Sequence, residues 1–169
     1  LIEHPEATVT DLMEFVQGPD FPTSGVIYGR SGIHQAYTQG RGRIMVRGVM
    51  TFEEGKSGQR NRLVITELPY QVNKVHLIEE IAHLVRDQKD PKRTRKIDVI
   101  ELRKDAVPKV VENNLYKHTK LQTTFGAIFL AIVSGRPRVL NLKEMLRHYI
   151  AHRREVVVRR TQYLLRKAE

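Results

Sequence analysis

The sequence contains no cysteine, which excludes disulfide bonds and thiolate metal sites. Its apolar runs, such as AIFLAIV, are far shorter than the roughly 20 residues of a membrane-spanning helix. The first residues, LIEHPEATVTDLM, carry acidic side chains early and include no long apolar segment, so they do not resemble a signal peptide. We therefore expect a cytoplasmic protein without a membrane partner.

Acidic residues are few as well: 19 Asp and Glu stand against 29 Lys and Arg, a formal net charge of +10. Such a balance favours polyanionic partners, nucleic acid first and an anionic membrane surface second. Many basic proteins carry only solvated surface charge, so the positions of the cations must show whether this chain binds a polyanion. With 169 residues, 40% of them hydrophobic, the chain is long enough for one folded domain with its own core.

Common nucleotide and metal motifs are also missing. The glycines of GRSG and GRGR do not follow the GxxxxGK[ST] or GxGxxG spacing of phosphate-binding loops. His148 and His152 are four residues apart, which would suit a metal, but no acidic or cysteine ligand accompanies them on that face. Tyr37, beside Thr38, could serve as a nucleophile, although packing against a turn is the more common role. We predict no catalytic residue and no metal site.

The pattern of apolar residues and turn signals predicts an α+β fold. It has a mixed or antiparallel sheet with flanking helices and a long, projecting C-terminal helix. Strands are expected at 41–54, 60–68, 97–102 and 127–133, and the first two form a hairpin. The connector DPKRTRK, between Lys89 and Ile97, has no apolar residue and is predicted to be a mobile surface loop or a chain break.

Capping residues mark the predicted helices. Gly40 is expected to end the helix over SGIHQAYTQG, Asn73 to cap a second helix and Pro108 to open a third. Asn141, with Glu144 three residues later, predicts the start of the last helix. That helix reaches the end of the sequence with no Gly, Pro or C-cap, which predicts that it continues in a longer chain.

Arginines at alternate positions are the strongest sign of function. On a strand, Arg41, Arg43 and Arg47 would project from one face, where alternate positions are about 7 Å apart, while Ile44 and Val46 would face the core. This interval is comparable to the spacing of phosphates along a DNA strand. The alternative is an ordinary solvated sheet face. Our candidate phosphate contacts are Arg30, Arg41, Arg43 and Arg47.

Several segments resemble the A subunit of bacterial DNA gyrase. They are GPDFPTSG, GRSGI, AYTQGRGR, ITELPYQVNK, NNLYKHTKLQTTFG and HRREVVVRRTQYLLRKAE, and they cover nearly the whole chain in order. The related topoisomerase IV subunit shares the architecture, but NNLYKHTKLQTTFG is more similar to gyrase. The resemblance implies an ATP-dependent type IIA topoisomerase, an isomerase that passes one DNA duplex through a transient double-strand break in another. In gyrase this reaction introduces negative supercoils.

The same resemblance implies a domain organisation. Residues 1–20 would end the preceding winged-helix or linker region, 21–140 would form the tower domain, and 141–169 would begin the coiled-coil helix toward the exit gate. The family's catalytic tyrosine lies upstream, so this fragment alone should be inactive. ATP and Mg²⁺ are expected largely at the B subunit, and this fragment should bind no cofactor. Expected partners are double-stranded DNA, the B subunit of DNA gyrase and a second A subunit, in an A2B2 assembly.

One departure concerns the charge. Between Lys89 and Ile97 the family usually carries an acidic stretch resembling GISDLRDESD, whereas this sequence has only DPKRTRK. Because the lack of this acidic stretch raises the net charge, the local arginine cluster is better evidence for DNA binding than the net charge is. A second hypothesis also remains, namely a structural module that contacts partner subunits and has negligible DNA affinity. Only the first hypothesis predicts DNA binding that weakens steeply with salt.

Overall fold

The structure, a computed structural model, describes residues 1–55, 59–87 and 99–168. The DPKRTRK connector lies outside these residues. The helices are α1 Val9–Leu12, α2 Ser31–Gln39, α3 Lys74–Asp87, α4 Pro108–His118 and α5 Leu142–Ala168. The strands are β1 Val26–Ile27, β2 Arg41–Arg47, β3 Val49–Glu53, β4 Arg62–Glu67, β5 Val99–Glu101, β6 Gln122–Ile128, β7 Leu130–Val133 and β8 Arg136–Val139. The predicted α+β class and the long C-terminal helix are confirmed.

In the described ranges the strands form three sheets, whereas the sequence predicted one. Their strand orders are β1-β2-β6, β3-β4-β5 and β7-β8. β1 with β2, β4 with both β3 and β5, and β7 with β8 all pair antiparallel. β2 and β6 are also antiparallel: the Gly48 amide donates to the Leu121 carbonyl at one end, and the Phe129 amide donates to the Gly40 carbonyl at the other.

Two predicted strands are each divided, which corrects their boundaries. The segment 41–54 breaks at Gly48, where a Cβ would lie 2.7 Å from the Glu67 carbonyl oxygen and 2.8 Å from Leu121 Cδ1. The segment 127–133 breaks at Phe129, and its first part belongs to a strand that already begins at Gln122. At both breaks the chain passes from one sheet to the next. The expected hairpin survives as β3 and β4, which pair in antiparallel register.

The predicted caps are confirmed. The Asn73 side chain accepts a hydrogen bond from the Val75 amide at 2.8 Å. Asn141 and Glu144 form a capping box, since each backbone amide donates to the other residue's side chain at 2.9 Å. Gly40, with φ of +73°, ends α2 in the left-handed region that favours glycine.

The chain divides into two compact units. The first comprises Leu1–Pro19, Ser31–Arg43 and Gly126–Glu169, and the second Asp20–Arg30 and Ile44–Phe125. In the first unit α1, α2 and α5 contact one another, and the buried apolar residues include Leu12, Ile33, Ala36, Tyr37, Leu140 and Leu142. The second unit has a core of Leu63, Leu77, Ile81, Leu102, Leu115 and Leu121. The family-based division at residues 20 and 140 stays a prediction.

Candidate nucleic-acid interface

Arg41 and Arg43 are exposed at the start of β2, in the first unit. Gly42, between them, explains their direction: a Cβ there would lie 2.6 Å from the backbone nitrogen and 2.8 Å from the Cβ of Ala36 in α2. Position 42 therefore faces α2. Because successive residues of a strand point to opposite faces, Arg41 and Arg43 point away from α2. Two guanidinium groups thus project from the face of β2 that is opposite to α2.

The junction before these arginines is held by its backbone. The Gly40 amide donates to the Ala36 carbonyl, and the Gly40 carbonyl accepts from the Phe129 amide, both at 2.8 Å. The positive φ of Gly40 lets the chain leave α2 and enter β2 without an intervening loop. The backbone immediately before Arg41 is therefore held by two hydrogen bonds.

Arg30 is exposed and belongs to the second unit. The Tyr28 amide donates to the Met45 carbonyl at 2.8 Å, which extends the pairing of β1 with β2 by one residue. Gly29 then turns the chain with φ of +87° and has open space around it. Arg30 is therefore an exposed cation two residues beyond a hydrogen-bonded strand pair.

Arg47 lies in a different environment from the other three arginines. It is half-buried, and its Nε donates to the side-chain carbonyl of Gln122 at 2.5 Å. Its guanidinium carbon lies 3.6 Å from the ring centre of Tyr28 and 5.0 Å from that of Tyr116. The Tyr116 hydroxyl donates in turn to the Gly48 carbonyl at 2.9 Å. Alternation along a strand predicts that Arg47 shares a face with Arg43, but it gives no sign of these aromatic contacts.

Burial makes Tyr37 unsuitable as a nucleophile. Its side chain is 2% exposed and its ring lies 5.7 Å from that of Phe129. Burial raises the pKa of the Tyr37 phenol, which disfavours the phenolate that would attack phosphorus. The neighbouring Thr38 hydroxyl donates to the His34 carbonyl at 2.7 Å within α2. Tyr37 therefore has a packing role, which is the kind of role the sequence favoured, and Thr38 bonds within its own helix.

We expect incubation with supercoiled DNA to yield no covalent adduct on Tyr37 and no relaxed or cleaved product. The reason is that Tyr37 is only 2% exposed and its ring packs against Phe129, so a DNA phosphate has little access to it. ATP hydrolysis is expected to be absent as well. Denaturing electrophoresis of labelled DNA and a phosphate-release assay measure these outcomes. An adduct that disappears in Tyr37→Phe would contradict the assignment.

No other part of the described structure resembles a reaction centre. His148 and His152 are exposed on α5, and no three His, Asp or Glu side chains in the described ranges group to hold a metal ion. An open cavity of about 280 Å³ in the second unit is lined partly by Tyr70, Phe125 and Lys120. The Lys120 ammonium lies 3.1 Å from a Glu80 carboxylate oxygen, so its charge is already paired. The described helices also include none that is both long and apolar enough to cross a bilayer.

Comparison of the sequence with those of known proteins shows which family the chain belongs to. The family model for the A subunit of DNA gyrase/topoisomerase IV matches residues 1–169. The A subunit of DNA gyrase from Staphylococcus aureus strains MRSA252, NCTC 8325 / PS 47 and COL is 50% identical over 179 aligned positions. These alignments cover 100% of this chain and 20% of each relative, so the chain spans about a fifth of their length.

The chain belongs to the family of A subunits of DNA gyrase and topoisomerase IV. This agrees with the resemblance seen in the sequence motifs. The alignment has 179 positions and the chain 169 residues, so at least ten positions of the relatives have no counterpart here. That difference agrees with the short DPKRTRK connector.

Proposed function

We propose that this chain is a DNA-supporting tower segment from the A subunit of a bacterial type II topoisomerase. In the assembled enzyme it would hold the arms of the duplex that is cleaved elsewhere. Its partners would be double-stranded DNA, the B subunit of the same enzyme and a second A subunit, in an A2B2 assembly in the cytoplasm. As the family resemblance implies, ATP and Mg²⁺ would act largely at the B subunit.

The observation that carries this proposal is the exposure of arginines on ordered backbone. Arg41 and Arg43 project from a helix-backed strand, and Arg30 follows a paired strand end. Arginine binds phosphate oxygens through a planar fork of N–H donors, which makes it well suited to the DNA backbone. Such contacts position a duplex and carry little sequence information. The interface would therefore bind DNA of any sequence.

Arg47 has a different part in the proposal. Because its Nε is bonded to Gln122 and its guanidinium lies against two tyrosine rings, it is less available to a phosphate than the three exposed arginines. We assign the direct phosphate contacts first to Arg30, Arg41 and Arg43. Arg47 would contribute its charge at short range and hold the surrounding side chains.

Gyrase is the preferred member of the family. The chain is 50% identical to gyrase A subunits over its whole length, and the segment NNLYKHTKLQTTFG favours gyrase over topoisomerase IV. On this proposal the parent enzyme introduces negative supercoils by passing one duplex through another. Residues 21–140 would be the tower, and α5 would begin the coiled-coil arm toward the exit gate.

A salt titration of DNA binding tests the proposal. If three arginines contact phosphates, log affinity should fall with log salt with a slope of about −2.7 or steeper. The measurement is fluorescence anisotropy with labelled duplexes of two unrelated sequences, which should give equal affinities. Feeble binding that does not depend on salt would favour the alternative, a module that contacts only partner subunits.

A further inference from the structure

Tyr28 and Arg47 form a stack on the surface of the second unit. The guanidinium carbon of Arg47 lies 3.6 Å from the centre of the Tyr28 ring, which is the separation of direct contact. The guanidinium is fixed from other sides by the Gln122 side chain at 2.5 Å and the Tyr116 ring at 5.0 Å. The Tyr28 backbone is fixed by its hydrogen bond to Met45. The ring therefore lies on a prearranged cationic support.

The Tyr28 side chain nevertheless remains 57% exposed. A ring of this kind presents both an apolar face and a hydroxyl, which suits a partner that is partly apolar and partly polar. The deoxyribose and phosphate of a DNA backbone have this character, and tyrosine is among the side chains that contact them.

The position of Arg30 indicates which part of DNA the ring would meet. The Cα atoms of Tyr28 and Arg30 can be at most about 7 Å apart, so the two side chains start within the distance between neighbouring groups of one DNA strand. The faces of the bases in a duplex are covered by stacking, so a tyrosine ring can pack against a sugar but not against a base face. Arg30 is exposed and cationic, which favours a nucleic acid over an apolar protein surface as the partner.

We propose that Tyr28 is a non-ionic contact to the DNA backbone, with its ring against a deoxyribose, and that Arg47 is the residue that positions it. This inference rests on the proposed function. It assigns Tyr28 a part of the affinity that salt does not weaken, because packing a ring on a sugar releases no counterion. The exposed arginines supply the salt-dependent part.

Single substitutions separate the two parts of the affinity. In the whole chain, Tyr28→Ala should weaken duplex binding about 5- to 10-fold, within the range for aromatic contacts to nucleic acid, with the salt slope unchanged. Tyr28→Phe keeps the ring and should retain most of the affinity. Arg47→Lys keeps the charge but loses the planar surface, so it should resemble Tyr28→Ala. Tyr149→Ala, on α5 and similarly exposed at 61%, is the matched control and should change nothing.

Combining the substitutions tests whether Arg47 acts through Tyr28. The double variant Tyr28→Ala with Arg47→Lys should bind no more weakly than either single variant, because residues that act as a unit are not additive. Thermal unfolding must first show that each variant is folded. If an alanine variant is unstable, the two conservative variants decide the question: Arg47→Lys should lose affinity, and Tyr28→Phe should retain most of it.

The outcomes are distinguishable from failure of the proposed function. If the parent chain does not bind duplex DNA in a salt-dependent way, the proposed function itself is wrong. If the parent binds but Tyr28→Ala binds equally well, or the two substitutions are additive, only this inference is overturned. Preferential loss of single-stranded over duplex binding would also overturn it, since that would indicate base stacking. A lost protein contact with intact DNA binding would identify a protein partner and reject the proposal.

Discussion

Replacing Arg30, Arg41 and Arg43 together with alanine is expected to flatten the salt dependence of DNA binding by about 2 to 3 units of log affinity per log salt. Each guanidinium at a phosphate displaces roughly one condensed counterion, and three are removed. Affinity should fall similarly for unrelated duplexes, since phosphates carry no base identity. Anisotropy titrations between 50 and 200 mM salt, roughly the range over which such contacts matter, measure the slope.

A matched control removes the same charge elsewhere. Arg154, Arg160 and Arg166 are exposed on α5, and replacing them with alanine also lowers the net charge by three. If position matters, the α5 variant should keep most of the parent slope. Folding should survive in both variants, because exposed arginines contribute within about 0.5 kcal/mol to stability. If the parent and the variant at Arg30, Arg41 and Arg43 have equal slopes, these arginines do not contact phosphates and belong to an ordinary solvated surface.

Substituting Gly42 by alanine is expected to destabilise the protein by about 1 to 3 kcal/mol or more, the range seen when a packed site is overfilled. The added methyl would lie too close to the Gly32 carbonyl oxygen and to the backbone nitrogen of Ala36. Backbone atoms of a helix cannot rotate away as a flexible side chain can. Either β2 or α2 must shift, and a shift of β2 would displace Arg41 and Arg43. Urea unfolding measures the stability, and DNA binding should fall with it.

Gly126→Ala provides the control for this substitution. Gly126 lies in β6 with nothing within 4 Å of the position that a methyl would take and with no positive φ, so alanine there should be tolerated. The same chemical change would thus be harmful at one strand glycine and mild at another. If both variants unfold at the same urea concentration as the parent, the close approach of β2 to α2 is wrong.

Local signals in the sequence were reliable because they depend on neighbouring residues. Asn73, Gly40 and the pair Asn141 and Glu144 satisfy backbone groups within a turn of their own position, and each was correctly identified. Exposure of Arg41 and Arg43 also followed from the two-residue period of a strand, since Ile44 and Val46 occupy the opposite, buried face.

What the sequence could not predict depends on distant residues. Apolar residues lie on both sides of Gly48, at Val46 and Val49, and the sequence therefore predicted one strand over 41–54. At Gly48 the chain passes close to Glu67 and to Leu121, and Leu121 is more than 70 positions away in the sequence. The surroundings of Arg47 have the same origin, since Tyr116 and Gln122 approach it only in the folded chain. Charge and alternation identified the arginine, and folding determined its environment.

The long helix α5 also has a mechanical consequence. Its 27 residues extend about 40 Å from the capping box of Asn141 and Glu144, at 1.5 Å per residue. Leu142, at the beginning of the helix, is buried, whereas the side chains beyond Ile150 are almost all exposed. We therefore expect the exposed part of the helix to follow any tilt of its packed beginning. A tilt of about 5° at that point displaces the far end by about 3.5 Å, so a repacking too small to alter the fold would produce a large movement at Ala168.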